Sequence, residues 1–132
     1  MSVIDVVAAV IKHDNKYLCA QRTKSKFDYL SYKFEFPGGK IESNETPEEA
    51  LYREILEELD TNIEILSILE KVEHQYPDFS VNITFYECSL LENQVLKKAD
   101  HHSFSWLLKS QLHELDWADA DIPIVELLQK EP

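Results

Sequence analysis

Glycine and cysteine are scarce in this sequence, which has only two of each among 132 residues. Cys19 and Cys88 lie far apart without CxxC spacing, which indicates reduced core or strand residues rather than a disulfide framework. No apolar run is long enough to cross a membrane, and no basic stretch followed by an apolar run marks a signal peptide at the N-terminus. We therefore expect a cytoplasmic protein with no membrane partner.

Positive charge is also scarce, since 13 Lys and Arg face 25 Asp and Glu, giving a formal net charge of −12. Such a surface repels nucleic acid polymers, so we expect no such partner. It also repels a free nucleotide, and a polyanionic substrate would need cations to bridge it to the protein. The length and the 44% hydrophobic content predict a single domain over residues 1–132.

Hydrophobic periodicity predicts alternating strands and helices. Strands are predicted over Val3–Lys12, Tyr17–Arg22, Lys33–Phe36, Asn62–Tyr76 and Ser80–Leu90, with a shorter strand ending near Trp106. Helices are predicted over Thr46–Leu59, Lys109–Leu115 and Asp121–Gln129. This order predicts a mixed sheet between helices, in an α/β or α+β sandwich.

The helix over Thr46–Leu59 has the clearest local signals. Thr46 and Glu49 form a predicted capping box, with Pro47 at the first helical position. Leu51, Ile55 and Leu59 form an apolar stripe. Glu54, Glu57 and Glu58 fall at i, i+3 and i+4, so their carboxylates share another face.

The surroundings of these carboxylates favour a cation site over an ordinary solvated acidic face. Arg53 can pair with a carboxylate and fix its rotamer. Gly38 and Gly39, the only glycines, predict a special backbone whose NH groups could approach phosphate oxygens. Glu45 stands just before the helix. Oxygen ligands converging from one helix suit Mg2+, which takes substrate phosphates as further ligands.

These residues resemble the Nudix box: Gly39, five residues, Glu45, seven residues, Arg53-Glu54-Ile55, one residue, Glu57-Glu58. A chance match is on the order of one in ten million per starting position at average composition. The flanking segment 33–42 is similar to the MutT branch of that family. The resemblance implies an α/β/α Nudix sandwich that hydrolyses a (deoxy)nucleoside triphosphate to monophosphate and pyrophosphate.

The resemblance also implies roles for individual residues. Glu54, Glu57, Glu58 and the Gly39 carbonyl would bind Mg2+, with Mn2+ as a substitute, and Arg53 would orient the carboxylates. Asp100, six residues before Trp106, stands where similar proteins carry a Glu, and it joins the metal-binding and catalytic candidates. Glu57 and Asp100 both remain candidates for the general base.

The chain departs from the family at the end of the helix. Asp60 replaces the usual Gly, and Thr61 replaces an aliphatic residue. The glycine normally ends the helix with a positive φ, which Asp tolerates at a cost of roughly 1 kcal/mol. We expect a change in stability rather than a loss of catalysis.

The resemblance places the substrate around the same segment. Asp121 aligns with the residue that contacts the nucleobase, although it also has the position of a helix N-cap. An ionised Asp accepts hydrogen bonds only, so both guanine and cytosine remain possible bases. The other candidates are grouped as substrate-binding residues: Arg22, Phe36, Gly38, Lys40 and Tyr76, with Trp117 as a further stacking residue.

Two other functions remain open. One is a Nudix hydrolase of another nucleoside diphosphate derivative, such as a sugar nucleotide. The other is a catalytically silent domain that senses a nucleotide. Whether the protein is a monomer or a homodimer also remains open.

Overall fold

A computed structural model of the protein describes residues 2–91 and 101–131. Seven strands lie in this part of the chain: β1 (Val3–His13), β2 (Lys16–Arg22), β3 (Phe34–Glu35), β4 (Gly38–Lys40), β5 (Ile63–Gln75), β6 (Ser80–Leu90) and β7 (His101–Leu108). The helices there are α1 (Pro47–Leu59), α2 (Ile122–Lys130) and two 3-10 helices, Lys109–Glu114 and Asp119–Asp121. No helix among these residues is long and apolar enough to span a bilayer.

The strands form one mixed sheet with the order β3-β2-β1-β6-β5, in which β4 also pairs with β1 and β7 with β2. β1 runs parallel to β6, from the pair Val3 and Ser80 to the pair Ile11 and Cys88. The other pairings are antiparallel. β1 therefore lies at the centre of the sheet, and the predicted mixed sheet is confirmed.

The two helices cover opposite faces of this sheet, as the alternation along β1 shows. Val7, Ala9 and Ile11 pack in one core cluster with the apolar face of α1. Ala8 and Val10 pack in the other cluster, with α2. Because successive strand residues point to opposite faces, a single buried strand serves both layers. The result is the predicted α/β/α sandwich.

Helix α1 begins and ends as the sequence predicts. The Thr46 hydroxyl accepts from the Glu49 NH at 3.1 Å, and the Glu49 carboxylate accepts from the Thr46 NH at 2.9 Å. The stripe of Leu51, Ile55 and Leu59 is fully buried. Asp60 ends the helix in the left-handed region at φ 50°, where the family carries Gly. The two caps fix where α1 begins and ends, and the buried stripe fixes which face carries the carboxylates.

The paired glycines correct one expectation. They form a strand, β4, and neither has a positive φ. Their missing side chains instead allow close packing. A β-carbon on Gly38 would stand 2.0 Å from the carbonyl oxygen of Val7 in β1, and one on Gly39 would stand 2.4 Å from Cδ of Glu54.

The remaining predicted boundaries shift by one or two residues. β7 extends to Leu108, two residues beyond Trp106, and the predicted helix after it is the 3-10 helix Lys109–Glu114. α2 begins at Ile122 rather than at Asp121. The turn between β1 and β2 has Asp14 and Asn15 both at positive φ.

Candidate active site

The contact between β4 and α1 forms the centre of the candidate site. The carboxylate of Glu54 lies against the backbone of Gly39, where its oxygens would be 2.5 and 2.6 Å from an added β-carbon. Only glycine leaves room for this carboxylate. The predicted partners Gly39 and Glu54 are therefore neighbours in space, although 15 positions separate them in the sequence.

Arg53 connects the carboxylates around this contact. Its guanidinium donates two hydrogen bonds to Glu45, at 2.7 and 3.0 Å, and one to Glu54 at 2.9 Å. It also donates to the carbonyl of Lys40 at 3.1 Å and lies 3.4 Å from Glu57. These contacts confirm the expected pairing of Arg53 with the carboxylates.

The same contacts shift protonation equilibria. The hydrogen bond from Arg53 lowers the pKa of Glu45, and the hydrogen bond to Glu45 raises the pKa of Arg53 above its usual range. Both groups therefore stay charged at neutral pH. A permanently charged, bidentate pair fixes the guanidinium, and the guanidinium in turn limits the positions that Glu54 can take.

The three candidate metal-binding glutamates of α1 differ in exposure. The side chain of Glu54 is 17% exposed and that of Glu57 60%, whereas Glu58 is buried. Glu54 and Glu58 line a cavity of about 410 Å³ together with Gly38. Glu57 does not line this cavity and extends into solvent beside Arg53. Asp100, the other candidate base, lies outside the described residues.

The residues present fit a divalent cation with few protein ligands. Among residues 2–91 and 101–131, no three His, Cys, Asp or Glu side chains are placed so that they could hold a metal ion together. Mg2+ rarely uses an all-protein cage, because it retains waters and binds phosphate oxygens through one or two carboxylates. The carboxylate of Glu54 against the Gly39 backbone, with Glu58 in the same cavity, supplies hard oxygen atoms of that kind.

A second cavity of about 620 Å³ adjoins the first. Apolar residues of β1 and β6 form part of its wall, including Val6, Ala8 and Ile83. Three predicted substrate-binding residues, Phe36, Tyr76 and Asp121, line it as well, and each is at most 5% exposed. The wall also carries charged side chains such as Arg22, Lys26 and Lys40, so its apolar part suits a flat heterocycle and its charged part suits a polar substituent.

Asp121 is the buried polar group of this larger cavity. Its Oδ1 accepts a hydrogen bond from the Phe36 NH at 3.1 Å, and its side chain makes no capping bond to α2. Burial, followed by the charge of Glu35, raises the pKa of Asp121 well above its usual value. Asp121 does occupy the predicted N-cap position of α2. The raised pKa favours the protonated carboxyl, which can donate as well as accept.

The other predicted substrate-binding residues divide between the cavities. Lys40 lines the larger cavity, whereas Arg22 and Gly38 line both. Trp117 lines neither. It packs behind Phe36, with ring centroids 4.8 Å apart, and donates its indole NH to the carbonyl of Leu112. Trp117 supports Phe36 in this arrangement, and its stacking on a base stays a prediction.

Sequence reasoning missed two charged residues that line the smaller cavity, Glu35 and Lys24. Glu35 bonds to Arg22 at 3.0 Å. The available signal was a single charged residue between Phe34 and Phe36. Both phenylalanines contact Trp117, so the pleat turns the intervening Glu35 toward the other side of the strand.

Comparison with known proteins agrees with this geometry. The NUDIX domain family matches residues 1–128. The chain belongs to the Nudix family. Nudix hydrolases generally need divalent metal ions, which agrees with the carboxylate oxygens of Glu54 beside Gly39.

Two curated Nudix relatives are similar over most of their length. The chain is 35% identical to "8-oxo-dGTP diphosphatase" of Proteus vulgaris, over 72% of this chain and 84% of that protein. It is 29% identical to "CTP pyrophosphohydrolase" of Escherichia coli, over 96% and 91% of the two chains.

Among solved structures, a Nudix hydrolase named MutT from methicillin-resistant Staphylococcus aureus 252 is 41% identical. That similarity covers 100% of both chains, with a TM-score of 0.76.

Proposed function

We propose that this Nudix protein is a Mg2+-dependent, MutT-like pyrophosphohydrolase that converts a nucleoside or deoxynucleoside triphosphate to its monophosphate and pyrophosphate. The observation that carries the proposal is the adjacency of the two cavities. One has an apolar part around the buried Asp121, and the other contains Glu54 and Glu58. A nucleoside triphosphate has a matching arrangement, with a flat base at one end and a polyanion at the other. The names of the two curated relatives support this assignment.

The metal would be held by Glu54, Glu58 and the Gly39 carbonyl, with Glu57 beside them. When bound, Mg2+ neutralises phosphate charge and lowers the pKa of the attacking water, and Mn2+ could take its place. Arg53 keeps Glu54 in position through the 2.9 Å hydrogen bond. The proton of the water passes to a carboxylate, for which Glu57 and Asp100 remain the candidates. The exposure of Glu57 makes it accessible to water.

Base recognition is assigned to Phe36, Tyr76 and Asp121. A neutral carboxyl offers one donor and one acceptor, so it matches a base edge that also offers one of each. The O6 and N1-H of guanine form such an edge, as do the N3 and amino group of cytosine. Asp121 is therefore compatible with 8-oxo-dGTP and with CTP or dCTP, and turnover must distinguish these substrates.

A nucleotide panel tests the proposal. We expect release of monophosphate and pyrophosphate from at least one of 8-oxo-dGTP, dGTP, CTP, dCTP and 5-methyl-dCTP in the presence of Mg2+. Glu54→Gln should lower kcat/KM at least ~100-fold, because it disturbs the geometry of the reacting groups. Glu64→Gln, an identical change on the exposed face of β5, serves as the matched control. Absence of monophosphate from every triphosphate contradicts the proposal.

The alternative functions have their own outcomes. Hydrolysis confined to a UDP-sugar added to the panel favours a hydrolase of other diphosphate derivatives. Equal metal binding by the wild type and Glu57→Gln, with no activity in either, favours a silent sensing domain. A single Nudix domain over residues 1–132 remains our prediction, and sedimentation at micromolar concentration would decide between monomer and homodimer.

A further inference from the structure

The two cavities share a wall of four residues: Arg22, Ser25, Glu35 and Gly38. If the base occupies the larger cavity and the phosphates the smaller, the sugar must lie at this wall. The reason is covalent, since the sugar connects the base to the α-phosphate. The wall is therefore the part of the protein that meets the sugar hydroxyls.

Only one side chain of this wall carries a negative charge, and that is Glu35. Arg22 offers donors alone, and Gly38 has no side chain. The hydroxyl of Ser25 already accepts from the Phe27 NH at 3.1 Å. A carboxylate has about four acceptor sites, so Glu35 can accept from several donors, and the Arg22 guanidinium donates to its Oε1 at 3.0 Å.

A carboxylate beside a phosphate subsite normally opposes substrate binding, because like charges repel. Here Arg22 offsets that repulsion through the 3.0 Å ion pair. The same bond restricts the Glu35 side chain, which is 20% exposed and therefore still accessible from the cavities. Glu35 is thus a fixed acceptor at the junction of base and phosphate subsites.

We propose that Glu35 is a specificity-determining residue that accepts a hydrogen bond from the sugar hydroxyls of the bound nucleotide. The inference rests on the proposed function, because it takes the order of the subsites from a nucleotide substrate. It predicts that the protein favours nucleotides with sugar hydroxyls over those without them. A hydrogen bond to a charged group contributes enough to give roughly 10- to 100-fold discrimination.

The test compares the ribo, 2′-deoxy and 2′,3′-dideoxy forms of one triphosphate. Binding of their non-hydrolysable α,β-methylene analogues is measured by calorimetry with Mg2+, and kcat/KM is measured for the natural forms. For the wild type we expect the dideoxy form to be weaker by at least ~10-fold. In Glu35→Ala this penalty should fall below about 3-fold, and Glu35→Gln should be intermediate. Glu73→Ala, an exposed carboxylate on β5, is the matched control.

If Glu35→Ala lowers the affinity for the ribo, deoxy and dideoxy forms by the same factor, the inference is overturned. Such a result would show that Glu35 only holds Arg22 in position. A dideoxy penalty that persists in Glu35→Ala also overturns it. Discriminating binding without hydrolysis keeps the inference but contradicts the proposed function, so the two failures are distinguishable. Circular dichroism of each variant separates a loss of folding from either result.

Discussion

Adding one methyl group to Gly39 should remove activity while leaving the fold intact. In Gly39→Ala the new β-carbon would lie 2.4 Å from Cδ of Glu54, where ordinary contacts begin near 3.4 Å, so the carboxylate must move by 3.4 − 2.4 = 1.0 Å. A displacement of about 1 Å in a catalytic group can lower the rate ~100-fold. The clash involves only the end of a side chain, so we expect a stability loss below about 1 kcal/mol.

The adjacent glycine provides the contrasting variant. In Gly38→Ala the β-carbon would lie 2.0 Å from the Val7 carbonyl oxygen and 2.7 Å from Cα of Ala8, which are backbone atoms and cannot rotate away. Separation of β4 from β1 should cost about 2–3 kcal/mol. That loss corresponds to a Tm lower by roughly 10 °C for a chain of this size.

The assays are thermal denaturation without metal and kcat/KM with saturating Mg2+ on the triphosphate turned over fastest. We expect Gly39→Ala to keep a Tm close to that of the wild type and to lose activity. Full activity in Gly39→Ala, or equal Tm losses in both variants, refutes the reasoning from close packing.

Three further predictions concern buried groups. Thr61→Val should stabilise the protein by about 1 kcal/mol in urea unfolding, because the buried hydroxyl has no hydrogen-bond partner among the described residues; an unchanged or lower midpoint contradicts this. Burial raises the pKa of Cys19 and Cys88 to about 12, so a thiol reagent should label both only after unfolding, and rapid native labelling is the contrary result. The raised pKa of Asp121 means that the folded state retains a proton that the unfolded state loses, so stability falls as pH rises from the unfolded value, ~3.9, toward the raised native pKa. Asp121→Asn should remove that slope in pH-dependent urea unfolding, and an unaltered slope would show that the native carboxyl is ionised.

Helix α1 and its carboxylate face could be predicted because their signals are local. The capping box of Thr46 and Glu49 and the apolar stripe each lie within a few turns of one helix. Asp60 was also predictable, since the left-handed C-cap depends on a single residue. Interactions of this kind need no knowledge of the tertiary fold.

The cavities depend on contacts between residues that lie far apart in the sequence. Local sequence patterns therefore did not predict them, or predicted them wrongly. The raised pKa of Asp121 follows from burial and from the charge of Glu35, which is 86 positions away in the sequence. Glycine is needed at positions 38 and 39 because a β-carbon would collide with Val7 or Glu54, and not because either residue has an unusual φ. Phe36 lines the larger cavity whereas Trp117 does not, and no periodicity in the sequence distinguishes the two.

The excess of negative charge disfavours binding of a free nucleotide, but part of this charge lies in the smaller cavity, where it can bind a cation. The smaller cavity is lined by two cations, Arg22 and Lys24, and three carboxylates, Glu35, Glu54 and Glu58, which gives a formal charge of 2 − 3 = −1. A phosphate oxygen 4 Å from one unneutralised carboxylate is disfavoured by about 4 kcal/mol at an effective dielectric constant of 20.

A free triphosphate should therefore bind poorly, and a divalent cation should strengthen its binding. Because linkage is reciprocal, the triphosphate must strengthen binding of the cation by the same factor. Calorimetric titration of Mg2+ with and without an α,β-methylene triphosphate measures that factor. Independent binding of the two would show that the carboxylates of this cavity do not face the phosphates.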